Sequence, residues 1–178
     1  MTTFEKITPT AEQTQKIEAL LSAKFPVTLT SIARELGMTP FEASRLLPAK
    51  VAAYADLSTP EKFDEFWLAL CDWEKVTLMI LKDSHVFEIE GKLSPGKRAQ
   101  GYYNILGKGA AIGGHIAFGE IQGAVFTAIP FMGRESYAVQ FISTAGEVSF
   151  AVYAGRENHQ LIAGVVEAWK AARERFAQ

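Results

Sequence analysis

Ser136–Ser143, SYAVQFIS, and Val148–Ala154, VSFAVYA, stand on either side of Thr144-Ala145-Gly146-Glu147. Both runs alternate with a period of two and are rich in β-branched and aromatic residues, as half-buried strands are. In the second run Val148, Phe150 and Val152 fall on one face and Ser149, Ala151 and Tyr153 on the other. A short glycine-containing connection joins the two runs as a hairpin. Upstream, VTLMIL and HVFEIE flank Lys82-Asp83-Ser84 and predict another hairpin. YYNIL, GHIAF and AVFTAI lie between the hairpins, which brings the expected sheet to about seven strands.

Outward from this centre the period changes to that of a helix. Thr10 with Gln13 has the spacing of a capping box and precedes Ile17, Leu20 and Leu21. Gly37 marks a stop, and Thr39-Pro40 followed by Glu42 marks the next start, with Leu46 and Leu47 as core residues. Thr59-Pro60 opens a third segment in which Phe63, Phe66, Trp67 and Leu70 form the strongest amphipathic stripe of the chain. A last helix is predicted from about Asn158, with Leu161, Val165, Trp169, Ala172 and Phe176 on one stripe. Helices, then strands, then a helix predict an α+β fold with a mainly antiparallel sheet. The expected joint lies between Ala49 and Thr59, dividing a helical subregion, 1–55, from an α+β domain, 56–178.

Bulk properties narrow the function. The chain has 178 residues, 48 % apolar and 21 % charged, so it can bury a core of ordinary composition. A net charge of −2 supplies no basic field for nucleic acid or anionic lipid. The single cysteine, Cys71, allows no internal disulfide and fits a reducing compartment. No apolar run approaches the ~18 residues of a membrane helix, and the N-terminus has no apolar signal region, so the expected location is cytoplasmic.

Three motifs invite stronger readings. LTSIARELGMTPFEASRLLP has the helix, glycine turn and second helix of a helix-turn-helix, but such turns are common between packed helices that never touch DNA. From Thr28 to Ala55 three basic residues face two acidic ones, too little cationic chemistry for a recognition helix. GKGAAIG resembles a dinucleotide fingerprint, yet its glycines run into a strand rather than a helix N-terminus. No nucleophile triad, H-E-x-x-H or CxxC is present, and His85, His115 and His159 are too scattered for a zinc cluster. His85 and His159 are expected in solvated or helix-start roles, and Cys71 as a buried inert thiol.

That leaves GYYNILGKGAAIGGHIAF, Gly101–Phe118, which gathers five of the fourteen glycines with two tyrosines and a histidine. Glycine allows positive φ and close approach, and tyrosine and histidine are both axial ligand types for haem iron. Tyr102, Tyr103 and His115 are therefore the candidates for chemistry. With a period of two, at most one of the tyrosines reaches a given pocket.

FDEFWLALCDW, GYYNILGK, GGHI, PFMG and AGRENHQL, in this order from Phe63 to Leu161, resemble the ChuX/HutX family of intracellular haem-utilisation proteins. The resemblance implies a homodimeric α+β protein similar to one half of the tandem-repeat ChuS/HemS proteins. It implies cytoplasmic haem binding by 56–178 and delivery to a haem-degrading enzyme. It places iron ligation at His115 or at Tyr102. A second histidine used by some members would fall near Leu81, where this sequence has none. Haem has two apolar faces and two carboxylates, so Lys97 and Arg98 are candidates for the propionates, and Tyr103, Phe118, Phe131 and Met132 for the pocket walls. A haem carrier is the first expectation, a haem-modifying or haem-degrading enzyme the second, and a DNA-binding regulator the third.

Overall fold

Threonine side chains set the helix starts. In the computed structural model, which describes residues 4–83 and 85–178, α1 (Ala11–Leu21), α2 (Leu29–Leu36) and α3 (Pro40–Leu46) each begin with a complete capping box, at Thr10, Thr28 and Thr39. Gly37 closes α2 at φ 68°, a left-handed cap that glycine adopts without Cβ strain. Lys6 fastens the end of this unit, its Nζ donating to the carbonyls of Ser44, Leu47 and Ala52 at 3.0, 2.8 and 2.8 Å.

After α3 the chain enters β1 (Ala52–Asp56), then α4 (Pro60–Cys71), capped by Thr59. Then come β2 (Val76–Lys82) and β3 (His85–Gly91), followed by β4 (Gly96–Ala99), β5 (Tyr102–Ile105) and β6 (Gly114–Ile116). A single 3₁₀ turn, Phe118–Glu120, leads into β7 (Ile121–Thr127), β8 (Ala138–Ser143) and β9 (Val148–Ala154). A two-residue ribbon, β10 (Arg156–Glu157) and β11 (Gln160–Leu161), precedes α5 (Ala163–Phe176). Ser84, read as part of the first hairpin turn, lies outside the described residues.

The architecture is α+β, as the sequence predicts. Six strands form an antiparallel sheet in the order β1-β7-β8-β9-β2-β3, and β4-β5-β6 form a separate antiparallel sheet. Strand alternation divides the core in two. Val125 and Ile142 face α1–α3 and pack with Leu29, Ile32, Phe41 and Tyr54. Phe126 and Phe141 face α4 and α5 and pack with Phe63, Phe66, Trp67 and Trp169. The β1-β7-β8 part of the large sheet is thus covered on both sides.

Several expectations change. The joint read between 49 and 59 contains β1, which pairs with β7 along its whole length, so the 55/56 boundary falls inside a strand. A short run of small residues, AAYAD, carries little strand signal of its own; burial against β7 creates it. A bulge between β8 and β9 lets Phe141 oppose Phe150 and Ile142 oppose Val148. Val148 therefore packs with the α1–α3 cluster, while Phe150 and Val152 pack on the other face. The last helix starts at Ala163, because Asn158 and His159, at φ 48° and 64°, form the two-residue tip of the β10–β11 ribbon. Lys97 and Arg98 lie on a strand, β4.

The helix-turn-helix outline is present as α2, Gly37 and α3. Pro40, Phe41, Ala43, Ser44 and Leu46 of α3 are buried against the sheet, so the would-be recognition helix is a core element. At the sheet edge, the backbone N–H of Gln178 donates to the Tyr54 carbonyl on β1 at 2.9 Å. Among the described residues, no helix is long and apolar enough to cross a membrane.

Candidate functional site

The small sheet separates the two tyrosines as alternation requires. Gln100 and Gly101, at φ 52° and 80°, turn β4 into β5, so Ala99 opposes Tyr102, Arg98 opposes Tyr103 and Lys97 opposes Asn104. Across β5 and β6, Tyr103 opposes Ile116 and Asn104 opposes His115. Opposed residues share a face, so Lys97, Tyr102, Asn104 and His115 project from one side, and Arg98, Tyr103 and Ile116 from the other.

Tyr103 belongs to the core. It is 2 % exposed, its ring lies 5.3 Å from that of Phe63 and 6.0 Å from that of Trp67, and its hydroxyl accepts from the Gly96 N–H at 2.9 Å. Burial raises its pKa, which keeps the phenol protonated. A Cβ on Gly96 would stand 2.4 Å from the Tyr103 ring and 2.6 Å from the Asn104 carbonyl oxygen, so this position must be glycine. Arg98 is also committed: its guanidinium meets Asp64 at 2.9 Å and Glu61 at 3.2 Å, tying β4 to α4.

The opposite face is open. Tyr102 is 46 % exposed, His115 is exposed, and their ring centroids are 6.2 Å apart in a T-shaped arrangement. His115 Nδ1 lies 2.6 Å from Asn104 Oδ1. The Asn104 amide nitrogen donates to the carbonyls of Lys97, Ala99 and Tyr102 at 3.1, 3.2 and 3.1 Å. Lys97 is exposed in the same row.

β6 is an edge strand, and a cleft of about 360 Å³ runs between it and β2 and β9 of the large sheet. Its walls are apolar, with Trp67, Leu78, Ile80, Ile112, Ile116 and Phe150 among them, and His115 and Glu120 add the polar groups. Trp67 donates its indole N–H to the Ser94 carbonyl at 3.0 Å, so its ring adds apolar surface without an unmet donor. The bulge at Ser149 lies on the lining.

The other expected wall residues are elsewhere. Phe118 packs its ring 6.2 Å from Phe63. Phe131 and Met132 follow the Thr127 end of β7, whereas the cleft reaches its Ile121 end, six residues or about 20 Å away along a strand. There they line a second cavity of about 340 Å³ with Arg134, Arg156 and His159. His85 is exposed at the start of β3. Among the described residues, no three His, Cys, Asp or Glu side chains cluster as a metal site. Sequence reasoning passed over Asn104 and the cleft walls. Asn104 carried a signal, two positions beyond Tyr102 on the same face, while the walls come from seven separate elements.

The family model for haem utilisation ChuX/HutX matches residues 57–172. This chain belongs to the ChuX/HutX family. It is 31 % identical over 175 residues to the intracellular heme transport protein HutX of Vibrio cholerae, covering 97 % of this chain and 89 % of HutX. The heme-binding protein ChuX superposes with a TM-score of 0.75 at 25 % identity, over 89 % of this chain and 98 % of ChuX. ChuS, the heme-degrading enzyme of Escherichia coli O157:H7, matches 97 % of this chain with 50 % of its own length, at a TM-score of 0.73 and 15 % identity. That last likeness is one of fold alone, and it aligns this ChuX/HutX chain with about half of the ChuS chain.

Proposed function

We propose that this chain is an intracellular haem carrier that receives haem at Tyr102 and His115 and passes it to a haem-degrading enzyme. The observation that carries this reading is the pairing of two iron-ligand types on one exposed sheet face beside an apolar cleft. Haem fits the residues present. The cleft offers apolar wall to a porphyrin face, Tyr102 or His115 offers a donor to iron, and Lys97 offers a cation to a propionate. Bound haem supplies a Lewis-acidic iron; the protein supplies the ligand, the wall and the counter-charge. Exposed ligands suit a carrier, because a partner can reach the haem before it is fully released. The names of HutX, a transport protein, and ChuX, a heme-binding protein, support the same reading.

Titration of the purified protein with ferric haem is expected to give a saturable Soret change at about one haem per subunit. Micromolar affinity corresponds to ~8 kcal/mol, which an iron bond and apolar contact readily supply. No saturable change below about 100 μM, ~5.5 kcal/mol, would sink the proposal. A steady Soret band in the presence of reductant, oxygen and catalase is expected of a carrier, and its loss would mean turnover.

We also propose a homodimer formed through the β2–β3 hairpin. β2 pairs with β3 from Val76 to Lys82 but with β9 only from Val76 to Met79, so the outer hairpin extends past the sheet. It carries Leu81, Val86 and Phe87, all at least 44 % exposed, which favours burial against a second copy.

A further inference from the structure

We infer that Asn104 is a positioning residue for His115: it holds the imidazole in the Nδ1–H tautomer and leaves Nε2 as the nitrogen that meets iron. The two ends of the Asn104 amide differ in what they can bond. Three backbone carbonyls, of Lys97, Ala99 and Tyr102, surround one end at 3.1–3.2 Å. Carbonyl oxygens only accept, so the NH₂ group must occupy that end. The carbonyl Oδ1 is thereby turned toward His115 Nδ1 at 2.6 Å, and Oδ1 also only accepts. Nδ1 must therefore carry the proton in the neutral ring. The lone pair then lies on Nε2, the ring nitrogen turned away from Asn104. A ligating histidine is commonly held in this way, with its second nitrogen donating to a fixed acceptor that sets the tautomer and ring orientation. Here the acceptor is anchored by the backbone of β4 and β5, so the orientation belongs to the sheet rather than to a mobile side chain.

The role toward iron rests on the proposed ligation by His115; the tautomer does not, so the two are tested apart. Two-bond ¹H–¹⁵N correlation spectra of haem-free protein with ¹⁵N-labelled histidine are expected to show His115 as the Nδ1–H form. An Nε2–H form would overturn the inference. Asn104→Asp and Asn104→Leu both remove the NH₂ group that braces the three carbonyls, but only aspartate keeps an acceptor for Nδ1. Asn104→Leu is expected to lose the Nδ1–H preference and to weaken ferric haem binding about tenfold, with Asn104→Asp restoring both. Equal affinity in the two variants would reduce Asn104 to a structural brace and overturn the role. Wild-type haem affinity and spectrum in His115→Ala would remove His115 as the ligand, and Asn104's role with it, while leaving the tautomer intact.

Discussion

Tyr102 and Tyr103 share a peptide bond and lie on opposite faces of β5, one 46 % exposed and the other 2 %. Their conservative variants should therefore separate function from stability. Tyr103→Phe leaves the Gly96 N–H without its acceptor and is expected to cost about 1–3 kcal/mol in urea unfolding, with haem affinity unchanged. Tyr102→Phe should stay within about 0.5 kcal/mol of wild type. If tyrosine is the ligand it will lose the ferric spectrum; if His115 is, His115→Ala will do so instead. The opposite pattern of stability effects would mean that the strand faces are misassigned.

Lys97 and Arg98 divide in the same way. Arg98→Ala breaks the pairs with Asp64 and Glu61, and because these are partly exposed the expected loss is below about 1 kcal/mol, with no change in haem affinity. Lys97→Glu should leave stability alone and weaken haem binding several-fold, more at low than at high salt. Equal affinity losses in both variants would mean that Arg98 also reaches the ligand.

Cys71 is 8 % exposed, and burial, aided by the charge of Asp72, pushes its thiol up from 9.0 to about 11. A raised thiol pKa favours the protonated fold fully below pH 9, and the advantage is lost as pH climbs toward 11, because unfolded chains ionise first. Wild type should therefore lose on the order of 1–2 kcal/mol more than Cys71→Ala between pH 8 and pH 11 in paired denaturation curves. The thiol should also resist a disulfide reagent at pH 8 until the protein unfolds. Parallel pH profiles, or rapid labelling of the native protein, would count against a sealed thiol.

The proposed dimer depends on the outer β2–β3 hairpin. Phe87→Asp places a charge among Leu81 and Val86 and is expected to convert a dimer mass to a monomer mass in light scattering. The circular dichroism spectrum should not change, since Phe87 is 56 % exposed within the single chain. A wild-type monomer at micromolar concentration would exclude the dimer outright.

Local signals carried far into this fold. Thr10, Thr39 and Thr59 sit at the caps that their side chains predict, and Gly37 closes α2, because a hydroxyl or a positive φ acts within one helical turn. Period-two alternation found β8 and β9 for the same reason. It failed at Val148, because one extra residue in a bulge reverses a face and no local composition marks it. β1 escaped notice because its strand character comes from β7, some seventy residues later in the chain. At the site, GYYN and GGHI were legible as ligand types and proved to be paired strands. Phe131 and Met132 were read as walls from their apolarity, which says nothing of which end of a sheet a turn occupies. The cleft walls were invisible because seven elements contribute to them.

The hydrogen bond from Gln178 to Tyr54 has a consequence for assembly. A sheet with two bare edges can add copies at both sides and grow without limit. Here the Gln178 N–H already takes the Tyr54 carbonyl on β1, one edge of the sheet, while β3 forms the other. Pairing β3 with β3, as the proposed dimer would, uses the same surface on both molecules and closes on a dyad. A carbonyl already taken on β1 makes that edge a poorer template than β3, which favours a closed pair over an open fibre.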